Sequence, residues 1–233
     1  PKYLNSPETE IFEKGKNLFG LDKSATSIRK KDYAVVVEGY FDVMALHDSG
    51  IANVVASLGT ALSRNQITLL SRSTDSKKIL LNFDSDSAGV RAANRAISEV
   101  ENLAIQGQLD LRVLHLPSGK DPDEFLRDNS PSEYEALAAK SPLWMDWQID
   151  QSLKDLDLNK SDQFQEAVST LVSLLGKLPQ TAIRTHYLQK VAQRLSGGQG
   201  RFALQLEEDL RTQISGQRWH GRSKKYDKPE EVS

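Results

Sequence analysis

Cysteine is absent from all 233 residues, so neither disulfides nor thiolate metal sites are open to this chain, and no zinc is expected in it. Aromatic residues make up 7% of the chain and charged residues 27%, which suits a protein with several water-facing helices. No apolar run approaches the roughly 20 residues needed to span a bilayer, and no signal peptide is visible. No membrane partner is expected, and the expected location is the cytoplasm. A strong charge imbalance is missing as well. The formal net charge is −2, whereas a basic excess is the usual footprint of a nucleic-acid protein. An acidic cluster would cancel basic patches in that sum, so the total excludes little. The histidines, His47, His115, His186 and His220, show no ligand spacing and receive no chemistry.

What is present is a short β-branched run that stops at an acid. Ala34 to Val37 is followed by Glu38 and Gly39, and the pattern recurs where Ile79 to Phe83 runs into Asp84, Asp86 and Gly89. Apolar runs of this length, bounded by turn signals, suit strands buried on both faces of a parallel sheet. The acids then stand at the carboxyl ends of strands, where open α/β sheets place their ligands. If the two strands are neighbours, Glu38, Asp84 and Asp86 converge at one sheet edge and repel one another unless cations are bound. Hard, oxygen-seeking Mg²⁺ or Mn²⁺ fits such donors. Strands are predicted near 33–37, 53–57, 78–83 and 110–115, with helices near 40–49, 63–72 and 88–106. The third helix carries Val90, Ala93, Ile97, Val100 and Ala104 on one face, with Ser87 as its N-cap. Strand alternating with helix implies parallel pairing and right-handed crossovers. Pro122 and Asp121 suit the first turn and N-cap of a further helix near 122–129.

A strand ending in Glu-Gly and a later one ending in Asp-x-Asp-x-x-Gly resemble the Toprim domain shared by topoisomerases and primases. The words Glu38 to Leu46, Ser57-Leu-Gly-Thr60, Leu116 to Asp123 and Pro1 to Thr9 resemble the bacterial replicative DNA primase family. That resemblance is strong to about residue 130 and weaker to about 214. It implies a Toprim-type, mostly parallel sheet flanked by helices, followed by a small all-helical bundle. The implied division is a tail of a preceding basic subdomain (1–31), a Toprim domain (32–130), a helical subdomain (131–214) and a flexible linker (215–233). It implies a catalytic-core fragment that makes short RNA primers on single-stranded DNA from ribonucleoside triphosphates, at the bacterial replication fork. It places Asp121 and Asp123 beside the metal site; Asp121 as a cap alone is the other reading. Lys2, Asn5, Ser6 and Lys14 become candidates for template or nucleotide phosphates. Thr60 is a further candidate, on a loop that reads equally well as a plain tight turn. The family's zinc module and most of its template groove are expected ahead of residue 1, so the fragment is not expected to start primers alone. The replicative helicase is expected to bind a C-terminal domain outside this chain.

From residue 132 onward no strand is predicted. Phe164, Ala167, Val168, Leu171, Val172 and Leu175 form one apolar stripe, Ile183, Tyr187, Val191 and Leu195 a second, and Phe202, Leu206, Leu210 and Ile214 a third. Gly197, Gly198 and Gly200 separate the last two.

Within the acid site Glu38 is either a direct ligand or the base that accepts the hydroxyl proton, and the family pattern favours the ligand. An EF-hand is excluded because Arg95 stands where the bidentate Glu is required. A topoisomerase needs a nucleophilic Tyr in a breakage domain, a context that Tyr40, Tyr134 and Tyr187 lack. A Toprim-type metal-dependent nuclease and a non-catalytic docking module are the alternatives.

Overall fold

Ala34 to Val37 are wholly buried, as a strand covered by helices on both faces requires. The structure is a computed structural model that describes residues 9–10, 13–58 and 61–226, with the backbone alone for residues 118 and 217–226. In chain order the sheet unit carries α1 (Leu21–Lys31), β1 (Tyr33–Val37), α2 (Tyr40–Asp48), β2 (Val54–Ala56), α3 (Arg64–Ser71), β3 (Lys78–Asn82), α4 (Ser87–Ile105), β4 (Asp110–Val113), α5 (Pro122–Asp128) and α6 (Pro131–Ala139). Next comes α7 (Trp144–Leu153), and the helical unit continues with α8 (Ser161–Gly176), α9 (Ala182–Leu195) and α10 (Gly200–Tyr226). Contacts divide the chain after Trp147, within α7.

The four strands are parallel in the order β2-β1-β3-β4, with Val37 beside both Ala56 and Asn82. The chain leaves β1 for β2 on one side and then crosses to β3 on the other. The gap between β1 and β3 is therefore the topological switch point, where such sheets open a crevice beyond the strand ends. Tyr134 of α6 is wholly buried and donates its hydroxyl to Asn82 Oδ1 (2.7 Å), pinning the end of β3.

Two helix starts show how local chemistry sets the boundaries. Ser63 caps α3 by accepting from the Gln66 amide (3.2 Å), while Gln66 Oε1 accepts from the Ser63 amide (2.8 Å). The N-cap of α4 is Asp86, not the expected Ser87, which is the first helical residue. The Asp86 carboxylate accepts from the Ala88 and Gly89 amides, so the helix starts one residue earlier than a Ser87 cap would place it.

In the helical unit the buried stripe of α9 is Arg184, Tyr187, Leu188, Val191, Ala192 and Leu195, and Ile183 is exposed. Phe202 is exposed too, whereas Leu206, Leu210 and Ile214 are buried. These two apolar residues fall at helix starts, one turn outside the packed stripe. Gly197 and Gly198 (φ 60° and 83°) end α9 in the left-handed region that glycine tolerates. α10 then runs to Tyr226, past residue 215, where the sequence reading places a linker.

Candidate active site

Glu38 follows the last residue of β1, and the backbone N–H of Asp84 donates to its Oε1 (3.2 Å) across the switch point. Two strands far apart in sequence thus bring their terminal acids together. Burial pushes the Glu38 carboxyl above the usual carboxylate range, and the charges of Asp84 and Asp86 add to that. The Asp84 carboxyl is raised in the same direction, first by burial and then by Asp121, Asp86 and Glu124. Asp121 therefore does two things. Its Oδ1 caps α5 by accepting from the Glu124 amide (2.7 Å), and its charge bears on the β3 acid. Asp123 is ion-paired with Arg127 one turn along α5. Asp86 is exposed, with Oδ1 accepting from the amides of Ala88 (2.8 Å) and Gly89 (2.7 Å).

One acid escaped the sequence reading. Asp42, in the first turn of α2, is 9% exposed, and its Oδ2 accepts from the Gly39 amide (3.1 Å). Its carboxyl is pushed up to about 7 by burial first, and then by Asp121, Asp84 and Asp123. The available signal was an acid one helical turn beyond Glu38, immediately ahead of the apolar Val43-Met44-Ala45-Leu46. A carboxylate at that position reads equally as an N-terminal helix charge, so periodicity alone gave no reason to single it out.

The turn that carries Asp84 and Asp86 is packed tightly. A Cβ added at Gly89 would lie 2.1 Å from the Asp84 carbonyl oxygen, so only glycine lets α4 approach the turn this closely. Ser85, between the two acids, has its Oγ 3.3 Å from His115 Nδ1, and Trp147 Nε1 donates to His115 Nε2.

Lys14 lies on a short 3₁₀ turn against α3, where its carbonyl accepts from Gln66 Nε2 (2.9 Å). Lys2, Asn5, Ser6 and Thr60 lie outside the described residues.

The acids that raise one another's proton affinity are hard oxygen donors on strand ends and helix starts, and this set fits Mg²⁺ or Mn²⁺. Among the described residues no three acidic or histidine side chains already stand at coordinating distance of one point. Such an open arrangement suits a cation that keeps several waters and shares its shell with phosphate oxygens.

Residues 35–126 match the Toprim-like family, and residues 1–25 match the N-terminal domain of the DNA primase catalytic core. Over all 233 residues the chain is 62% identical to the DNA primase of Synechococcus elongatus, covering 34% of that protein. The chain belongs to the bacterial DNA primase family. The Synechocystis sp. primase is 47% identical over 217 residues, 92% of this chain and 34% of that protein, so the chain spans about a third of the curated relatives' length. A solved DNA primase domain from Pseudomonas aeruginosa superposes with a TM-score of 0.69 at 35% identity, covering 89% of this chain and 64% of that one. A DnaG primase catalytic domain solved bound to ssDNA gives 0.68 at 33%, covering 84% and 61%.

Residues 145–200 match the DnaB-helicase binding domain of primase. The match supports the expected interaction with the replicative helicase, which the sequence analysis assigns to a C-terminal domain outside this chain. Apolar stripes in that stretch report a packed helical core and are silent about what the outer faces meet, so the sequence reading had no means of seeing the match.

Proposed function

We propose that this chain supplies the acidic catalytic centre of a primase, a DNA-templated RNA polymerase that joins a 3′-hydroxyl to the α-phosphate of the next ribonucleotide and expels pyrophosphate. The observation that carries the reading is the meeting of Glu38 and Asp84 at the switch point, with the charge of Asp121 raising the proton affinity of Asp84 and the charges of Asp121 and Asp84 raising that of Asp42. Divalent cations, when bound, neutralise the charge that crowds onto the phosphate oxygens during transfer. The protein's part is positioning. Glu38 and Asp84 are held by β1 and β3, Asp86 by its cap on α4, and Asp121 by its cap on α5. Asp42 is fixed by the Gly39 amide, and the charges of Asp121 and Asp84 raise its proton affinity. Asp123 shares its charge with Arg127 and is the more peripheral acid. Lys2, Asn5, Ser6, Lys14 and Thr60 are proposed to contact template or nucleotide phosphates. The partners proposed are single-stranded DNA, ribonucleoside triphosphates and, through residues 145–200, the replicative helicase. The match to a helicase-binding domain and the relative solved on ssDNA support these partners.

Asp84→Asn tests the site. It keeps the shape of the side chain and removes a charge that its neighbours repel, so Mn²⁺ affinity should fall by about tenfold or more while the metal-free melting temperature holds or rises. Calorimetry with Mn²⁺ and a melt on the same protein read both, and unchanged affinity refutes the assignment. A parallel assay on single-stranded DNA separates polymerase from nuclease, because only the polymerase needs added nucleotides. The 233-residue chain alone is expected to bind metal and nucleotide without starting primers. Initiation must hold two nucleotides and a template together before any product exists.

A further inference from the structure

We propose that His115 and Trp147 are positioning residues that hold the Asp84–Ser85–Asp86 turn in its metal-binding shape, an inference that rests on the site reading above. Ser85 is the one residue of the turn between the two acids, and a chain of two side chains from other elements ends on it. His115, beyond the end of β4, places Nδ1 3.3 Å from the Ser85 Oγ. Gly119 lies near it on the next turn, where an added Cβ would sit 3.9 Å from the Ser85 Cβ. Trp147, 2% exposed on α7, donates its indole N–H to His115 Nε2, and the two rings lie 5.7 Å apart at 27°.

The direction of the hydrogen bonds follows from chemistry. An indole nitrogen can only donate, so His115 Nε2 must accept and carries no proton. The ring's remaining proton then sits on Nδ1, which can only donate, and Ser85 Oγ receives it. Trp147 thus selects the His115 tautomer, and the tautomer dictates that Ser85 is held as an acceptor. Its hydroxyl proton is left to point away from His115. A serine restrained in this way fixes the backbone between Asp84, whose amide already bonds Glu38, and Asp86, which caps α4. Partners of this kind, one step behind the groups that meet a metal, set ligand orientation and are commonly worth tenfold or more in affinity.

The relay is tested with Trp147→Phe, which keeps a ring in place and removes the N–H, and with Ser85→Ala, a change at a partly exposed position that leaves the core intact. In metal-free protein at pH 7.5, long-range ¹⁵N–¹H correlation should show His115 as the Nδ1–H tautomer. Trp147→Phe should remove that preference and shift the amide signals of Ser85 and Asp86. A His115 that carries its proton on Nε2, or unmoved Ser85 and Asp86 signals in Trp147→Phe, overturns the relay whether or not metal binds. Each single change should weaken Mn²⁺ binding roughly tenfold, and the double variant should be no weaker than either single one. A purely packing role for Trp147 predicts additive losses instead, which also overturns it. The Asp84→Asn control keeps the two readings apart. If it abolishes Mn²⁺ binding while the relay variants bind normally, the site stands and the relay falls. If the unmutated chain takes up no Mn²⁺, the site reading falls and the tautomer and amide signals decide the relay by themselves.

Discussion

Gly89→Ala is expected to destabilise the sheet unit by about 3 kcal/mol, at the upper end for overpacking, and to weaken Mn²⁺ binding in the same protein. The new methyl carbon would fall 2.1 Å from the Asp84 carbonyl oxygen, 2.7 Å from its carbon and 2.8 Å from its nitrogen. These are backbone atoms, so no rotamer change relieves the contact. Either α4 tilts away from the sheet or the turn bearing Asp84 is driven outward. The second route breaks the hydrogen bond from the Asp84 amide to Glu38 and moves an acid of the proposed site. A loss of this size lowers the melting temperature by roughly 6–12 °C for a unit of about this length. Gly216→Ala in α10 is the control. A Cβ there meets nothing within 4 Å, so the same substitution should stabilise that helix by about 0.5–1 kcal/mol. Equal effects at the two positions would show that helix propensity rather than crowding governs Gly89.

Asp42→Asn should stabilise the metal-free protein at pH 8, by on the order of 2–4 kcal/mol, and should leave it unchanged near pH 4. In the unfolded chain the Asp42 carboxyl titrates near its ordinary value of 3.8, and in the fold near 7. Between those values the folded state holds a proton that the unfolded state has released. The stability contributed by that proton is complete below about pH 4 and is lost as pH rises through 7. Above that, the fold must keep a mostly buried carboxylate charged beside Asp121, Asp84 and Asp123, with the Gly39 amide as its opposing donor. Asparagine retains an oxygen for that amide and carries no charge. Glu38 and Asp84 are raised in the same direction, so the unmutated protein should itself melt at higher temperature at pH 5.5 than at pH 8. Parallel melts from pH 4 to 8 in chelator give the result. Coincident curves at pH 8 would mean that Asp42 is solvated in the fold.

The acids beside the switch point explain why a chain of near-neutral net charge can belong to a family that works on nucleic acid. Carboxylates gathered at one crevice cancel lysines and arginines spread elsewhere, such as Arg29, Lys30 and Lys31 in the last turn of α1. What matters for binding a polyanion is where each sign of charge lies rather than their sum.

Much of this molecule is written locally and could be read without a structure. The strands at 33–37, 54–56 and 78–82 coincide closely with the predicted runs, because a strand buried on both faces is largely apolar, and 110–113 coincides too although its burial alternates. Asp121 ahead of Pro122 announces a helix start, since an N-cap carboxylate and a first-turn proline act within three residues of each other. The acids at the ends of β1 and β3 were legible for the same reason. Strand order was not. Only the placement of β1 against β3 brings Glu38 to the Asp84 amide, and that pairing joins residues 46 positions apart. Asp42 looked like an ordinary first-turn acid until packing buried it among other carboxylates. The link from Trp147 through His115 to Ser85 spans three elements, and no spacing along the chain encodes it. Short-range chemistry settles which residues become strand, helix and cap. Burial, charge proximity and hydrogen bonds between distant elements come into being only when the sheet assembles, and those decide which of the acids stand close enough to shift one another's proton affinity.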